Sequence, residues 1–233
     1  MIFSKKWNYD YDTRCECSED DRCGCSFPDN LTRSYATDTA NILRPQLAVG
    51  GKALNFTASA ILDNGQISSS FSLFDYIAGS YALLVFYVAD FSPLCPIEIR
   101  HFDQAREEFS KRDVKVVAIS VDSLSAHLAW RKFLIEEGGV GNVSFPLVSD
   151  ISKFISRDYG VLQEDGTSQR ATFLIDTDNI IRFQSVVDAK ITRSVDETLN
   201  VIDKIRALDQ ADCQGIHCWG RNMKKQTGVF SQQ

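Results

Sequence analysis

The sequence predicts an α/β fold: a mixed sheet with helices packed on its faces. Three observations carry this expectation. Residues 82–87 and 114–121 are predominantly apolar runs of strand length (Ala-Leu-Leu-Val-Phe-Tyr and Val-Lys-Val-Val-Ala-Ile-Ser-Val), as expected for strands buried on both faces. Segments of helical periodicity separate successive strands, and such crossovers require parallel pairing. Two further strands, 171–175 and 180–187, are joined only by Asp176-Thr177-Asp178-Asn179, a turn tight enough to force an antiparallel pair.

Residues 1–44 read as a loop-rich extension, polar and without sustained periodicity, with a short helix near 37–43. Pro45 and Gly50-Gly51 mark entry into the domain. Residues 55–62 form a strand, Asp63-Asn64-Gly65 supply a hairpin turn, and 66–71 return as a strand. A short helical turn, 73–77, precedes Gly79 and strand 81–87. After Cys95 the apolar residues Ile99, Phe102 and Phe109 recur at near-helical spacing, with Arg100, Asp103, Arg106, Glu107 and Lys111 on the other face, which predicts a helix over 95–110. Strand 114–121 is followed by a helix from Ser123 to about Glu136, capped by Ser123 or Asp122 and ended by Gly138-Gly139. A strand at 145–148, a short helix over 151–158 stopped at Gly160, the strand pair and an amphipathic helix over 195–208 complete the domain. This order is the layout of a thioredoxin-like fold with an N-terminal hairpin. The expected divisions are 1–44, a folded domain over 45–208, and a C-terminal tail over 209–233.

The chain has 233 residues, 44% hydrophobic and 24% charged, with a formal net charge of −6. That balance argues against a nucleic-acid or anionic-membrane partner, and no apolar run approaches the roughly 18–20 residues that span a bilayer. The first ten residues lack the apolar core of a secretory signal, so a cytoplasmic location is expected. In that reducing setting the seven cysteines suit redox or metal work better than structural disulfides.

Cys95 stands apart from the other six. Ser92 is a candidate N-cap for the helix that follows, and Pro93 and Pro96 are tolerated only in a first turn. A thiol at a helix start lies among unpaired N–H groups and the positive end of the helix dipole, which favour the reactive thiolate. The alternative is a buried structural cysteine.

Several motifs then occur together: Phe86-Tyr87 and Asp90-Phe91 ahead of Cys95-Pro96-Ile97-Glu98-Ile99; Ser120-Val121-Asp122-Ser123 with His127-Leu128-Ala129-Trp130; Gly138-Gly139-Val140-Gly141; Asp158-Tyr159-Gly160-Val161-Leu162; Arg170-Ala171-Thr172-Phe173; and Arg193-Ser194-Val195-Asp196-Glu197-Thr198-Leu199. In this order they resemble the typical 2-Cys peroxiredoxins, which include the peroxidase component of alkyl hydroperoxide reductase, over about residues 48–208. The resemblance implies a thiol-dependent peroxidase acting on hydrogen peroxide and organic hydroperoxides, without a cofactor or catalytic metal. It implies that Cys95 is the peroxidatic cysteine, that Ser92 hydrogen-bonds thiolate and peroxide, and that Arg170 stabilises the thiolate. Glu98 takes a supporting electrostatic role. Arg193 either joins the same network or forms a surface ion pair with Asp196 or Glu197. The chain departs from the family at Val88, usually proline, at Pro93, commonly Phe, and at Ser92, commonly Thr.

In the family the Cys95 sulfenate would condense with a cysteine from the partner subunit's tail. Cys213 and Cys218 are the candidates here, in a tail lacking the usual Val-Cys-Pro. Counting from Thr198-Leu199 favours Cys213, and the adjoining Trp219 favours Cys218; Cys213 is the first choice. The implied electron donor is thioredoxin or a flavin-dependent reductase, and the implied assembly is a homodimer, which in the family can build a decamer. Gly138-Gly139-Val140-Gly141 resembles the glycine motif of overoxidation-sensitive members, but the chain lacks a terminal Tyr-Phe, so intermediate-to-robust resistance is expected. Cys15, Cys17, Cys23 and Cys25 lie outside the family's extent and could hold zinc, form disulfides or stay free; Cys213, His217 and Cys218 could form part of a metal site. His101 and His127 read as core or interface residues. A peroxide sensor or redox-regulated chaperone on the same scaffold is the alternative function. A dithiol oxidoreductase is disfavoured because no second cysteine completes a Cys-x-x-Cys at Cys95.

Overall fold

The structure is a computed structural model that describes residues 47–213, the last two by backbone alone. The paired cysteines at 15, 17, 23 and 25, the short helix expected near 37–43, His217 and Cys218 lie outside the described residues. One seven-stranded sheet runs in the order β2-β1-β5-β4-β3-β6-β7. Its strands are β1 Thr57–Ile61, β2 Ile67–Ser72, β3 Tyr81–Phe86, β4 Val114–Ser120, β5 Leu147–Ser149, β6 Arg170–Ile175 and β7 Ile181–Val187. The helices are α1 Leu73–Ile77, α2 Cys95–Gln104, α3 Arg106–Lys111, α4 Leu124–Lys132, α5 Phe154–Asp158 and α6 Val195–Cys213, with a 3-10 turn at Ile135–Glu137. The fold is thioredoxin-like α/β with a mixed sheet.

Pairing follows the connections. β3–β4 and β4–β5 are parallel, whereas the hairpins β1–β2 and β6–β7 are antiparallel. One departure from the crossover rule is β6, which runs antiparallel to β3. After α5 the chain reverses through a narrow turn, closed by the antiparallel bridge Leu162–Ser168, and so enters the sheet in the opposite sense. Asn179, at φ 62°, occupies the left-handed region, while Asp176 Oδ1 accepts from the Asp178 and Ile180 amides. Short polar side chains bonding their own backbone stabilise such turns.

The period-2 geometry of the strands distributes the core over two faces. Ala82, Leu84, Phe86, Val117, Ile119, Ala171 and Phe173 pack on one side with Phe71, Leu73, Ile77 and Tyr159. Leu83, Val85, Tyr87, Val116, Ala118 and Leu174 pack on the other with Cys95, Ile99, Phe102, Phe109 and Trp130. Both faces of β3 are therefore covered, which is why its sequence shows no polar alternation.

Four helix boundaries differ from the sequence reading; the short helix expected over 151–158 begins only at Phe154, because Lys153 is left-handed at φ 62°. The helix expected over 95–110 is broken at Ala105, whose backbone turns to φ −87° and ψ 10° before α3 begins. The helix expected to reach Glu136 ends at Lys132 because Phe133 is extended; the 3-10 turn then closes on Gly138 at φ 93°. The last helix continues beyond 208 to Cys213. A clamp one turn earlier holds it: Tyr81 donates to Asp209 Oδ2 at 2.5 Å, and Arg182 bonds both Asp209 and Asp176. Ser123 caps α4, accepting from the Ala126 amide. Ser92 does not cap α2; the preceding residue is Leu94, which makes no side-chain cap bond.

Candidate active site

Cys95 is the first residue of α2, fully buried beneath the loop that leaves β3. Pro96 at the second helical position has no N–H to lose, and the first helical bond runs from the Glu98 amide to the Leu94 carbonyl. The amides of Cys95 and Ile97 therefore precede the helical ladder, at the positive end of its dipole. Val88 is partly buried and packs against the apolar cluster that contains Cys95.

Arg170 reaches this thiol by strand parity. Leu174 faces the Cys95 side of the sheet, so Thr172 and Arg170, two and four residues earlier, face the same way. The Ala171–Phe86 pairing sets Arg170 beside the end of β3, where the chain departs toward Cys95. Its Nη2 donates to Cys95 Sγ at 3.7 Å and to the Ala189 carbonyl at 3.1 Å, and its Nη1 donates to Glu98 Oε2.

Glu98 lies three residues after Cys95, on the same face of α2. Its carboxylate is buried between two guanidiniums. Arg193 donates from Nη2 to Oε2 at 2.8 Å, and its backbone amide and Nε donate to Oε1 at 2.7 and 3.0 Å. Arg193 is itself held by the Ala171 carbonyl and Thr172 Oγ1, with its guanidinium 5.8 Å from the Phe102 ring centre. Burial alone would raise the Glu98 carboxyl, but hydrogen bonds and charge from Arg193, then charge from Arg170, outweigh it and hold the group below its ordinary value. Two guanidiniums and one carboxylate leave this buried cluster with one unbalanced positive charge. An anionic sulfur at Cys95 would neutralise it.

Among the described residues, two buried polar atoms near this cluster make no hydrogen bond: Ser92 Oγ and Arg170 Nε. Buried polar atoms are seldom left unpaired, so the site offers donor capacity beyond its internal bonds.

Cys95, Arg170, Glu98 and Arg193 are thus linked, in that order, by one chain of hydrogen bonds. Ser92 stands in the same loop with its hydroxyl unpartnered. Cys213 ends α6, and its side chain is not described. His127 is buried, whereas His101 is exposed on the last turn of α2 and belongs to no core of this chain. Sequence reasoning missed the Ala189 carbonyl and the partners of His127: its Nδ1 lies 2.8 Å from Asp90 Oδ2, and Tyr87 donates to Asp90 Oδ1 at 2.9 Å. The parity of Tyr87 with Leu83 and Val85 was the available signal. Among the described residues no group of three or more His, Cys, Asp and Glu side chains is placed to hold a metal, and no helix is long and apolar enough to cross a membrane.

Residues 49–184 match the AhpC/TSA family. The chain is 40% identical to the chloroplastic 2-Cys peroxiredoxin BAS1 of Hordeum vulgare over 165 residues, 70% of this chain and 78% of the relative. It is 39% identical to alkyl hydroperoxide reductase C of Buchnera aphidicola subsp. Acyrthosiphon pisum over 178 residues, 76% of this chain and 89% of the relative. Among solved structures, reduced Plasmodium vivax 2-Cys peroxiredoxin superposes with a TM-score of 0.68 at 41% identity, covering 71% of this chain and 85% of that one. The extent of these matches, over a fold of the same topology, establishes that the chain belongs to the AhpC/TSA family and is a peroxiredoxin, a thiol peroxidase.

Proposed function

We propose that Cys95 is the peroxidatic nucleophile for hydrogen peroxide and organic hydroperoxides. The observation that carries this reading is the Arg170 guanidinium 3.7 Å from a thiol at a helix start. The thiolate attacks one peroxide oxygen. The O–O bond breaks, an S–O bond forms, and the other oxygen leaves with the electron pair as hydroxide or alkoxide, which takes a proton. The sulfur becomes a sulfenic acid. Ser92 Oγ and Arg170 Nε, both buried and unpartnered among the described residues, are donors suited to the peroxide and to the charge that develops on its leaving oxygen. Glu98 and Arg193 orient Arg170 rather than touch substrate.

In the proposed cycle a tail cysteine of the partner subunit, Cys213 ahead of Cys218, attacks the sulfenic acid, releases water and closes an intersubunit disulfide. Thioredoxin or a flavin-dependent reductase then returns both thiols. Two surfaces favour self-association. Beyond Ile181, whose amide and carbonyl bond Gly51 and Gly50, β7 is an edge of the sheet, whose unpaired backbone groups can pair with a second copy. Phe91 and Phe133, exposed and in edge-to-face contact at 5.5 Å, adjoin exposed Leu134 and Ile135, an apolar patch suited to joining dimers into larger rings.

Peroxide consumption by wild type, Cys95→Ser, Cys213→Ser and Cys218→Ser, with non-reducing gels, tests the cycle. Cys95→Ser should be inactive, and Cys213→Ser should lose the dimer-sized band while Cys218→Ser keeps it. Full activity in Cys95→Ser would overturn the nucleophile, and band loss in Cys218→Ser alone would transfer the resolving role to that residue.

A further inference from the structure

Asp90, His127 and Tyr87 form a polar cluster buried under the loop that joins β3 to Cys95. His127 Nδ1 lies 2.8 Å from Asp90 Oδ2, and Tyr87 Oη donates to Asp90 Oδ1 at 2.9 Å. His127 Nε2 lies 3.3 Å from the Val148 carbonyl, which can only accept, so this nitrogen carries a hydrogen. The Nδ1–Oδ2 contact therefore holds one proton, whether the pair is imidazolium with carboxylate or imidazole with carboxylic acid. Burial pushes the Tyr87 phenol well above its ordinary value, which keeps it a hydrogen donor. The Asp90 amide is tied separately, donating to Asp122 Oδ2 at 2.9 Å, and that oxygen also accepts from Ser120 Oγ at 2.8 Å. Asp90 is thus fastened through its side chain and its backbone, two residues before Ser92 and five before Cys95.

The next residue shows what the fastening holds. Phe91 has φ 56°, a left-handed conformation that bulky side chains seldom adopt. It persists because the surroundings over-determine it: Asp90 pins the chain inside, and the Phe91 ring lies 6.4 Å from that of Trp130 and 5.5 Å from that of Phe133. Tyr87 joins the same assembly, stacked on Trp130 at 5.6 Å. Helix α4 carries both His127 and Trp130, so one helix face grips the loop by a polar and an aromatic contact.

We propose that Asp90, with His127 and Tyr87, is a positioning residue for the peroxide reaction, latching the loop so that Ser92 is held in register with Cys95. The latch acts through Ser92 and touches no substrate. It rests on Cys95 being the nucleophile, which Cys95→Ser tests separately. In Asp90→Asn the amide can donate to Nδ1 and still accept from Tyr87, so the latch closes without a carboxylate. In Asp90→Ala it cannot form.

The experiment compares, for folded protein, the second-order rate of Cys95 oxidation by hydrogen peroxide with its rate of alkylation by iodoacetamide, a reaction that needs no peroxide pocket. Displacement of a reacting group by about 1 Å can cost on the order of 100-fold. Asp90→Ala should slow oxidation about 10-fold to 100-fold and alkylation far less, and Asp90→Asn should stay within about threefold of wild type. A wild-type oxidation rate in Asp90→Ala, whatever its melting temperature, would overturn the proposal, as would Asp90→Asn being as slow as Asp90→Ala. Should Asp90→Ala not fold, Tyr87→Phe, which keeps the stack on Trp130 and loses only the hydroxyl, takes its place. Oxidation slowed several-fold supports the latch, and an unchanged rate refutes it.

Discussion

Glu98 illustrates how one buried charge can be tolerated when its surroundings are complete. A carboxylate removed from water costs several kcal/mol unless paired and hydrogen-bonded, and here Arg193 supplies three donors and Arg170 a fourth. Replacing it by Gln leaves two buried guanidiniums without a counter-charge, a change of the kind that costs about 3–5 kcal/mol. The pH dependence has a definite sign. The folded-state carboxyl titrates below its ordinary value of 4.5, so its stabilisation is fully present above that value and is lost as the pH falls through the lower, folded-state value. Urea denaturation should show a wide gap between wild type and Glu98→Gln at pH 7, narrowing as the pH drops below 4.5. A gap that stays constant would assign the loss to packing rather than charge. The spacing of Glu98 from Cys95 is plain in the chain. That Arg193, 95 residues away, would close around it is not, because a surface ion pair with Asp196 or Glu197 satisfies the same local pattern.

At the scale of elements, the segment after α4 shows why boundaries were harder to read than identities. Periodicity favours a helix running to Glu136, but Trp130 Nε1 donates to the Gly138 carbonyl at 2.8 Å and the Gly139 amide bonds the Leu134 carbonyl. These tertiary bonds replace a final helical turn, and only the glycine pair hints at them. The two glycines do different work. Gly138 needs its positive φ, yet an added Cβ would meet nothing within 4 Å. At Gly139 a Cβ would fall well inside van der Waals contact with the Phe133 carbonyl oxygen, a backbone atom that cannot rotate away. Gly138→Ala should therefore cost about 1–2 kcal/mol, the ordinary penalty of a left-handed residue. Gly139→Ala should cost about 3 kcal/mol or more, since the loop must shift as it does for an overpacked core. Thermal and urea unfolding of the two variants check that order, and equal losses would mean that the close approach at Gly139 is relieved at no cost.

At the scale of the molecule, the order of elements along the chain and the helix-covered mixed sheet were largely legible, because continuous apolar runs, crossover helices and tight turns leave few topologies open. β6 escaped that logic: its direction depends on the reversal at Leu162–Ser168, which carries no strong hydrophobic period. The finished sheet leaves β7 as an edge with Val186 half exposed, while the Phe91–Phe133 patch stands on the loops beside α4. These surfaces differ in chemistry, one offering backbone hydrogen bonds and the other apolar area, so they should fail independently. Lysine on an edge strand discourages pairing with a second sheet; Val186→Lys should thus yield monomer where wild type sediments as a dimer or larger. A carboxylate in the apolar patch faces desolvation on assembly, so Phe133→Asp should retain the dimer and lose only larger species. Sedimentation velocity over a concentration series separates the outcomes. A Val186→Lys protein that keeps the wild-type distribution would remove β7 from the dimer interface, and a monomeric Phe133→Asp protein would move that interface to the aromatic patch.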